Sequence, residues 1–320
     1  MTVSDRDWRN YERAKKVLES WHLGDGPPST DLNSLAASEV AVLRRFGSLA
    51  GGVPTEDEPA PEEISTLFRR RLKRLVKLGG EDLLVPESPA LGGFGHTVGG
   101  RLYNLDTLKH FEALTALRRG GLLNELMRAT DQRVVMQMGP NWGGFAYQLK
   151  TLCPTLTVVL ADVPDNLLLS AVYLMNRFPD ARCFFCGPHE AAVDWRRYDF
   201  IFTLQTPLPR LNGPPLHLLV SIQGFESLPG SEIAATVDWA YSAGCPFLYS
   251  LDTHDAAEPG GTVFSIFERA YWPHEIPVMS VSFDEMFDGV VGGETLAAPQ
   301  RAQQSGPRYR HLVGWRKWGA

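Results

Sequence analysis

Cysteine is scarce: the 320 residues hold four, Cys153, Cys183, Cys186 and Cys245. So few, so spread, give no disulfide framework. Cys183 and Cys186 have the spacing of a metal or redox pair, but they fall inside an expected strand, where alternate positions face opposite ways. No second pair stands nearby to complete four zinc ligands. They read as core cysteines. Apolar runs of about 18 residues are missing too, and no basic region followed by an apolar one opens the chain. That leaves no expected membrane partner and points to a cytoplasmic, reduced protein. Positive charge is not in excess: the formal net charge is -6. Nonspecific nucleic-acid binding relies on phosphate neutralisation, so nucleic acid is not an expected partner. A small anionic ligand is not excluded. No internal repeat or low-complexity tract is present.

What is there suits a globular enzyme. The chain is 44% hydrophobic and 21% charged, enough to bury a sizeable core. Its length fits one large domain, or one domain with a helical appendage. The most ordered pattern spans residues 133–187. A strand over Val134 to Met138 enters the loop Gly139-Pro140-Asn141-Trp142-Gly143-Gly144, and a helix follows over 145–152. A second strand over 156–160 ends at Ala161-Asp162. A longer helix after Pro164 stops near Pro179, and residues 181–186 read as a third strand. Short continuous apolar runs suit parallel strands covered on both faces. Their alternation with helices predicts an α/β, doubly wound, Rossmann-like sheet with helices on both faces.

Residues 1–130 read as a mainly helical N-terminal region, a lid or a dimer surface, and residues 131–320 as the sheet domain. Trp8, Tyr11, Ala14, Val17, Leu18 and Trp21 recur at helical spacing. A second helix is expected over 35–46 and a loop over 47–61. Pro61, Glu62 and Glu63 suit the start of another helix. That helix carries Arg69, Arg70, Arg71, Lys73, Arg74 and Lys77, which read as a solvated face. Gly92-Gly93-Phe94-Gly95-His96 reads as a connecting loop or a rim segment near the ligand. Asn104-Leu105-Asp106 leads into a helix over 107–118, and another is expected over 122–130. Further on, 198–204 is an extra strand or a buried crossover. Residues 216–222 and 246–251 are strands, with a helix over 231–242 between them and Ser231 as its cap. A helix is expected near 263–270 and a last strand over 309–317.

A tight glycine turn after a first strand lets backbone approach a nucleotide-like ligand. An acid at the end of the second strand, here Asp162, suits a ribose hydroxyl pair. Enzymes of NAD and of S-adenosylmethionine share this arrangement. The loop departs from G-x-G-x-x-G because Asn141 replaces the middle glycine, which weakens the case for close pyrophosphate contact. S-adenosylmethionine has no pyrophosphate.

The run from Gln137 to Leu149, with Leu160-Ala161-Asp162-Val163-Pro164, the segment 167–178 and the run from Leu219 to Leu228, resembles class I S-adenosylmethionine-dependent methyltransferases. More narrowly, it is similar to the putative sugar O-methyltransferase family. The resemblance covers about residues 130–255. Gln137 stands where that family has an acid, and Phe225-Glu226-Ser227 departs from its later motif. The resemblance implies S-adenosylmethionine as cofactor. It also implies that Gly139, Asn141, Gly143 and Gly144 form the cofactor turn, that Asp162 holds the ribose and that Val163 packs beside the adenine. Ser221 lies at the end of the fourth strand, near the cofactor and the acceptor.

Methyl transfer needs alignment and often a base for the acceptor's proton. Among flanking carboxylates, His254 is the first candidate base, and Glu226 is the second. His274 and His96 are weaker. Gln223, like Ser221 and Glu226, is placed to line the acceptor site. Asp252, Asp255 and Glu258 leave a divalent metal open without predicting one. Tyr271, Trp272, Trp315 and Trp318 either stack on an acceptor or pack in the core. The reading is an O-methyltransferase moving a methyl group to a hydroxyl of a small molecule, a saccharide, glycoside or glycosylated natural product. N-methylation of an amino sugar is a close variant. The alternatives are an NAD(P)-dependent oxidoreductase and a noncatalytic binding protein of this fold. A homodimer is left open.

Overall fold

The structure is a computed structural model that describes residues 5–19, 21, 62–89, 93, 95–187, 193–206, 208, 211–212, 216–225, 228–253, 262–278 and 309–318. The helix expected over 35–46 and the loop over 47–61 lie outside these residues. Helices α1 (Asp5–Glu19), α2 (Glu62–Gly79), α3 (Leu105–Arg119) and α4 (Leu122–Arg128) precede the main sheet. A hairpin of β1 (His96–Val98) and β2 (Arg101–Tyr103) interrupts them. Next come β3 (Val134–Met138), α5 (Gly144–Leu152), β4 (Thr157–Asp162), α6 (Pro164–Arg177) and β5 (Cys183–Cys186). They are followed by β6 (Val193–Asp194), β7 (Phe200–Leu204), β8 (Leu211–Asn212), β9 (Leu218–Ile222) and α7 (Gly230–Ser242). The last are β10 (Phe247–Thr253), α8 (Val263–Phe267), β11 (Tyr271–Glu275) and β12 (Tyr309–Arg316).

Eight strands form one sheet in the order β11-β12-β10-β9-β3-β4-β7-β5. The pairs from β10 to β5 are all parallel. Strand β12 runs antiparallel to both of its neighbours. The chain moves from β3 to β4 and later returns to β9 on the other side of β3. The direction of winding therefore reverses between β3 and β9, the point where doubly wound sheets open a crevice at the strands' carboxyl ends. The expected α/β, Rossmann-like sheet is what the chain forms.

Burial explains the strands. Every residue of β3, β4, β7 and β9 is buried. Val135, Val158 and Phe200 join a core shared with α1 to α6. Their neighbours Val134, Met136, Val159 and Ile201 join a second core with α7 and α8. Successive side chains thus feed opposite faces. The same rule separates the paired cysteines: Cys183 packs against the first core and Cys186 lies in the second. All four cysteines are free thiols, and burial pushes Cys183 and Cys245 up to about 12.

Sheet order departs from chain order, and several expectations are corrected. The strand after α6, β5, takes the sheet edge, and β7 lies between it and β4. Three of the four β5 residues are partly exposed, whereas β7 is buried throughout, so the segment able to cover both faces moves inward. Residues 271–275 form a strand that sequence periodicity missed. Pro273 removes a ladder donor, which an edge strand such as β11 tolerates. Ser231 lies inside α7, whose N-cap is Pro229 with no side-chain bond. The basic face of α2 is interrupted by Arg71, which is buried. Among the described residues, no helix is long and apolar enough to cross a membrane.

Helix α3 has the strongest start. The Asn104 side chain accepts from the Thr107 N–H at 2.8 Å, and the Thr107 hydroxyl oxygen accepts from the Asn104 N–H at 2.8 Å. The Asn104 amide also donates to Glu87 at 3.0 Å. Asn104→Ala is expected to cost about 1–2 kcal/mol, read as a lower urea midpoint. An unchanged midpoint would show that the cap is not needed to hold this helix.

Candidate ligand site at the switch point

Strand β3 runs straight into Gly139, which sits at φ 59°. A Cβ there would come within 2.6 Å of the Cα of Gly224, just beyond β9. The next turn is closed by the Gly143 N–H donating to the Pro140 carbonyl at 2.9 Å. Asn141 takes φ 51° within it. Asparagine tolerates the left-handed region better than most side chains, so it meets the backbone demand that the missing glycine would have met. Gly143 is the N-cap of α5 at φ 86°. A Cβ on Gly144 would run into the Trp142 ring and lie 2.6 Å from Cε1 of His110. Tertiary neighbours therefore press the loop from two sides.

These elements enclose a cavity of about 340 Å³ at the carboxyl ends of β3, β4, β7 and β9. Asp162 lines it from the end of β4. One carboxylate oxygen accepts from the Val163 N–H at 2.8 Å and the Asn166 amide at 3.0 Å. The other accepts from the Asn141 N–H at 3.4 Å. Burial raises this carboxyl to about 6, against the lowering effect of those hydrogen bonds. A ligand hydroxyl pair offers the donors such a carboxylate needs.

Helix α3 forms the opposite wall and brings Lys109 and His110. The Lys109 ammonium lies 3.4 Å from Asp106 and donates to Gln223 at 3.2 Å. Gln223, held at φ 59°, donates in turn to the Tyr309 hydroxyl at 3.1 Å. Burial lowers the His110 imidazole to about 3, so the ring is neutral. Its Nδ1 is buried and without a hydrogen-bond partner, as is Oε1 of Gln137. Both side chains line this cavity. The Trp142 indole donates to Asp106 at 2.9 Å, tying the glycine loop to α3.

Of the residues expected to bind a cofactor, Gly139, Asn141 and Asp162 line the cavity. Gly143 and Gly144 shape the turn behind it. The Val163 side chain stands partly in solvent next to Asp162. Ser221 is fully buried away from the cavity, and its hydroxyl accepts from the Phe225 N–H at 3.1 Å. That bond fixes the turn after β9. Asp252 is likewise buried, accepting from Phe225 at 3.1 Å and Ser250 at 2.5 Å; these bonds occupy it as a turn brace. Glu226 and His254, the expected catalytic pair, lie outside the described residues, as do Asp255 and Glu258. Among the described residues, no group of three or more His, Cys, Asp and Glu is placed to hold a metal ion.

The tail aromatics are not at this site. Trp315 pairs with Phe247, at the amino end of β10, and Trp272 pairs with Trp315. Trp272, Trp315 and Trp318 are exposed there, while Tyr271 packs in the core. His274 faces the Trp315 ring at 4.8 Å, and His96 faces Phe68 at 4.6 Å. Lys109 and His110 were missed because they precede the sheet by a helix and a loop. Their signal was present: Asp106, Lys109, His110 and Glu112 are titratable side chains in the first half of a helix whose Leu, Phe and Ala positions suit a core, and charges among such positions need a purpose.

No protein-family model matches the chain. No curated protein matches it either. Among solved structures, magnesium protoporphyrin IX methyltransferase from Synechocystis PCC 6803 with bound SAM is 10% identical, at TM-score 0.38, over 89% of this chain and 100% of that one. Human N-acetylserotonin methyltransferase in complex with SAM is 10% identical at TM-score 0.38, over 94% of this chain and 74% of that one. The pyocyanin biosynthetic protein PhzM is 11% identical at TM-score 0.36, over 64% of this chain, which spans only 57% of that one. With TM-scores this low, the fold assignment stands on the strand order, which makes this chain a Rossmann-like α/β protein.

Proposed function

We propose that the chain is an S-adenosylmethionine-dependent methyltransferase acting on a hydroxyl of a small molecule, with a saccharide or glycosylated natural product as the acceptor class. The observation that carries this reading is the buried Asp162 carboxylate at the end of β4, set across a glycine turn at the switch point. The residues fit an adenosyl ligand: the cavity has an acid for a ribose, a close backbone approach at Gly139, and two buried polar atoms without partners. Bound S-adenosylmethionine supplies an electrophilic methyl group on a sulfonium. The chain's part is to hold the ribose at Asp162, align the acceptor over the ends of β3 and β9, and take the acceptor's proton. His254 and Glu226 are the proposed bases. In sequence, His254 comes directly after β10 and Glu226 four residues after β9. Residues 1–130 act as the cover of the site and 131–320 as the cofactor domain; Lys109 and His110 in the cavity wall support that division.

Calorimetric titration of the purified protein tests the reading. Saturable binding of S-adenosylmethionine and S-adenosylhomocysteine is expected, with none of NAD. Absence of heat and of thermal shift with both adenosyl ligands would overturn it. A tight NAD complex would return the chain to the oxidoreductases.

A further inference from the structure

A second cavity, of about 580 Å³, lies in the N-terminal part between α2 and the hairpin of β1 and β2. Arg69, Leu72, Lys73 and Val76 line it from α2, and positions so spaced share one helix face. Val98 and Arg101 line it from the hairpin, and Glu81 and Leu84 from the segment after α2. The floor is apolar: Leu72 is buried, while Val76, Leu84 and Val98 pack against the first core and stay partly exposed. The rim carries three cations and one acid, on a chain whose formal net charge is -6. Arg69, Lys73 and Arg101 are exposed and have no ion-pair partner among the described residues. Burial, and after it the Arg69 charge, lower the His96 imidazole, which places the Arg69 head beside the hairpin. Arg70, Arg74 and Lys77 are exposed and do not line this cavity. The basic run of α2 therefore divides into a solvated part and a part that borders the groove.

We propose that this groove binds an amphiphilic anion, a small molecule whose alkyl body covers Val76, Leu84 and Val98 and whose phosphate is held by Arg69, Lys73 and Arg101. The site shares no lining residue with the adenosyl cavity and does not rest on that reading. Charge selects the head: three cations less one acid leave an excess of two on the rim, and a phosphate monoester carries about -1.5 to -2 at pH 7. Size selects the body. The groove has the volume of a small-molecule site, and the stretch of α2 along it, Arg69 to Val76, is only about 10 Å long. That suits a short alkyl chain and leaves no room for an amphipathic helix of several turns. A lipid surface would need apolar groups projecting past the cations; here they are recessed behind them.

Calorimetry on the full chain at low salt compares octyl phosphate, 1-octanol and inorganic phosphate. Octyl phosphate is expected to bind saturably, about tenfold or more tighter than octanol, with no saturable heat from inorganic phosphate at the same concentrations. The double variant Arg69→Gln, Lys73→Gln should weaken octyl phosphate about tenfold and leave octanol within about twofold. Retained octanol binding reports that the groove is intact. Arg70→Gln with Arg74→Gln removes the same charge from the solvated part of α2 and should change octyl phosphate affinity by less than about twofold. Val98→Ser should weaken octyl phosphate and octanol alike, by about threefold. Equal weakening in the two double variants overturns the site, since it would show attraction to the helix's charge at large. So does inorganic phosphate binding as tightly as octyl phosphate. Absence of octyl phosphate binding overturns it too, and sedimentation with phosphatidylglycerol vesicles in that case assigns the rim to a membrane surface.

Discussion

Asp162→Asn is expected to stabilise the unliganded protein at pH 8 and to abolish high-affinity adenosyl binding. The folded carboxyl sits at about 6, above its ordinary 3.8, because burial penalises the charge. A carboxyl raised on folding favours the native state only while it is protonated. The benefit is complete below about pH 4 and is lost as pH rises through about 6. At pH 8 the buried charge therefore costs the native state about 1–3 kcal/mol. Asparagine removes that charge and keeps an oxygen for the Val163 N–H and the Asn166 amide, the two shorter bonds. The variant's urea midpoint should exceed wild type at pH 8 and converge with it near pH 4. A ribose hydroxyl pair loses one of two charged acceptors, so affinity should fall about a hundredfold or more. Wild-type affinity should itself drop about tenfold per pH unit below about 6, as the carboxyl must give up its proton to bind. A variant less stable than wild type at both pH values would mean that Asp162 braces the fold instead of paying a burial cost for function.

Gly224→Ala should be the most damaging single methyl group in this region. A Cβ there would meet the Met138 carbonyl oxygen and come within 3.2 Å of the Cα of Gly139. Both obstacles are backbone, one of them at the end of a central strand, so neither swings aside as a side chain would. The expected loss is about 2–4 kcal/mol in urea unfolding, and adenosyl binding should disappear as the two loops part. Gly100→Ala is the control. It has a positive φ of 77° but nothing within 4 Å of the added carbon, so only backbone strain remains, about 1 kcal/mol. Equal losses in the two variants would show that the β3 and β9 loops are not in contact.

The contrast between these two glycines shows what can be read from a chain and what cannot. Gly139, Gly143 and Gly144 announce a turn through their place between an apolar run and a helix. Gly224 stands in a stretch whose need for glycine is set by Gly139, far away in sequence. Asp162 was legible for a local reason, since it ends a strand one helix after the glycine loop. Lys109 and His110 were not, because no local pattern says which helix of the N-terminal part lies across the cavity. Asn141 was read as a weakness in the glycine loop, and its φ shows that it takes the conformation the turn demands. Ser221 is read from sequence as a cofactor or acceptor contact and Asp252 as part of an acidic run that leaves a metal open; long-range contact makes both supports for the turn at Phe225.

Residue order alone determined the alternation of strands and helices, the doubly wound class, the glycine turn and the acid at the end of β4. Each depends on periodicity or spacing within about one structural unit. Tertiary structure alone decided that β7 displaces β5 from the inner position, that β12 enters antiparallel between β10 and β11, and that α3 closes the cavity. Those outcomes come from competition among distant segments for the same buried faces, and the energy that settles it is packing, which has no local signature.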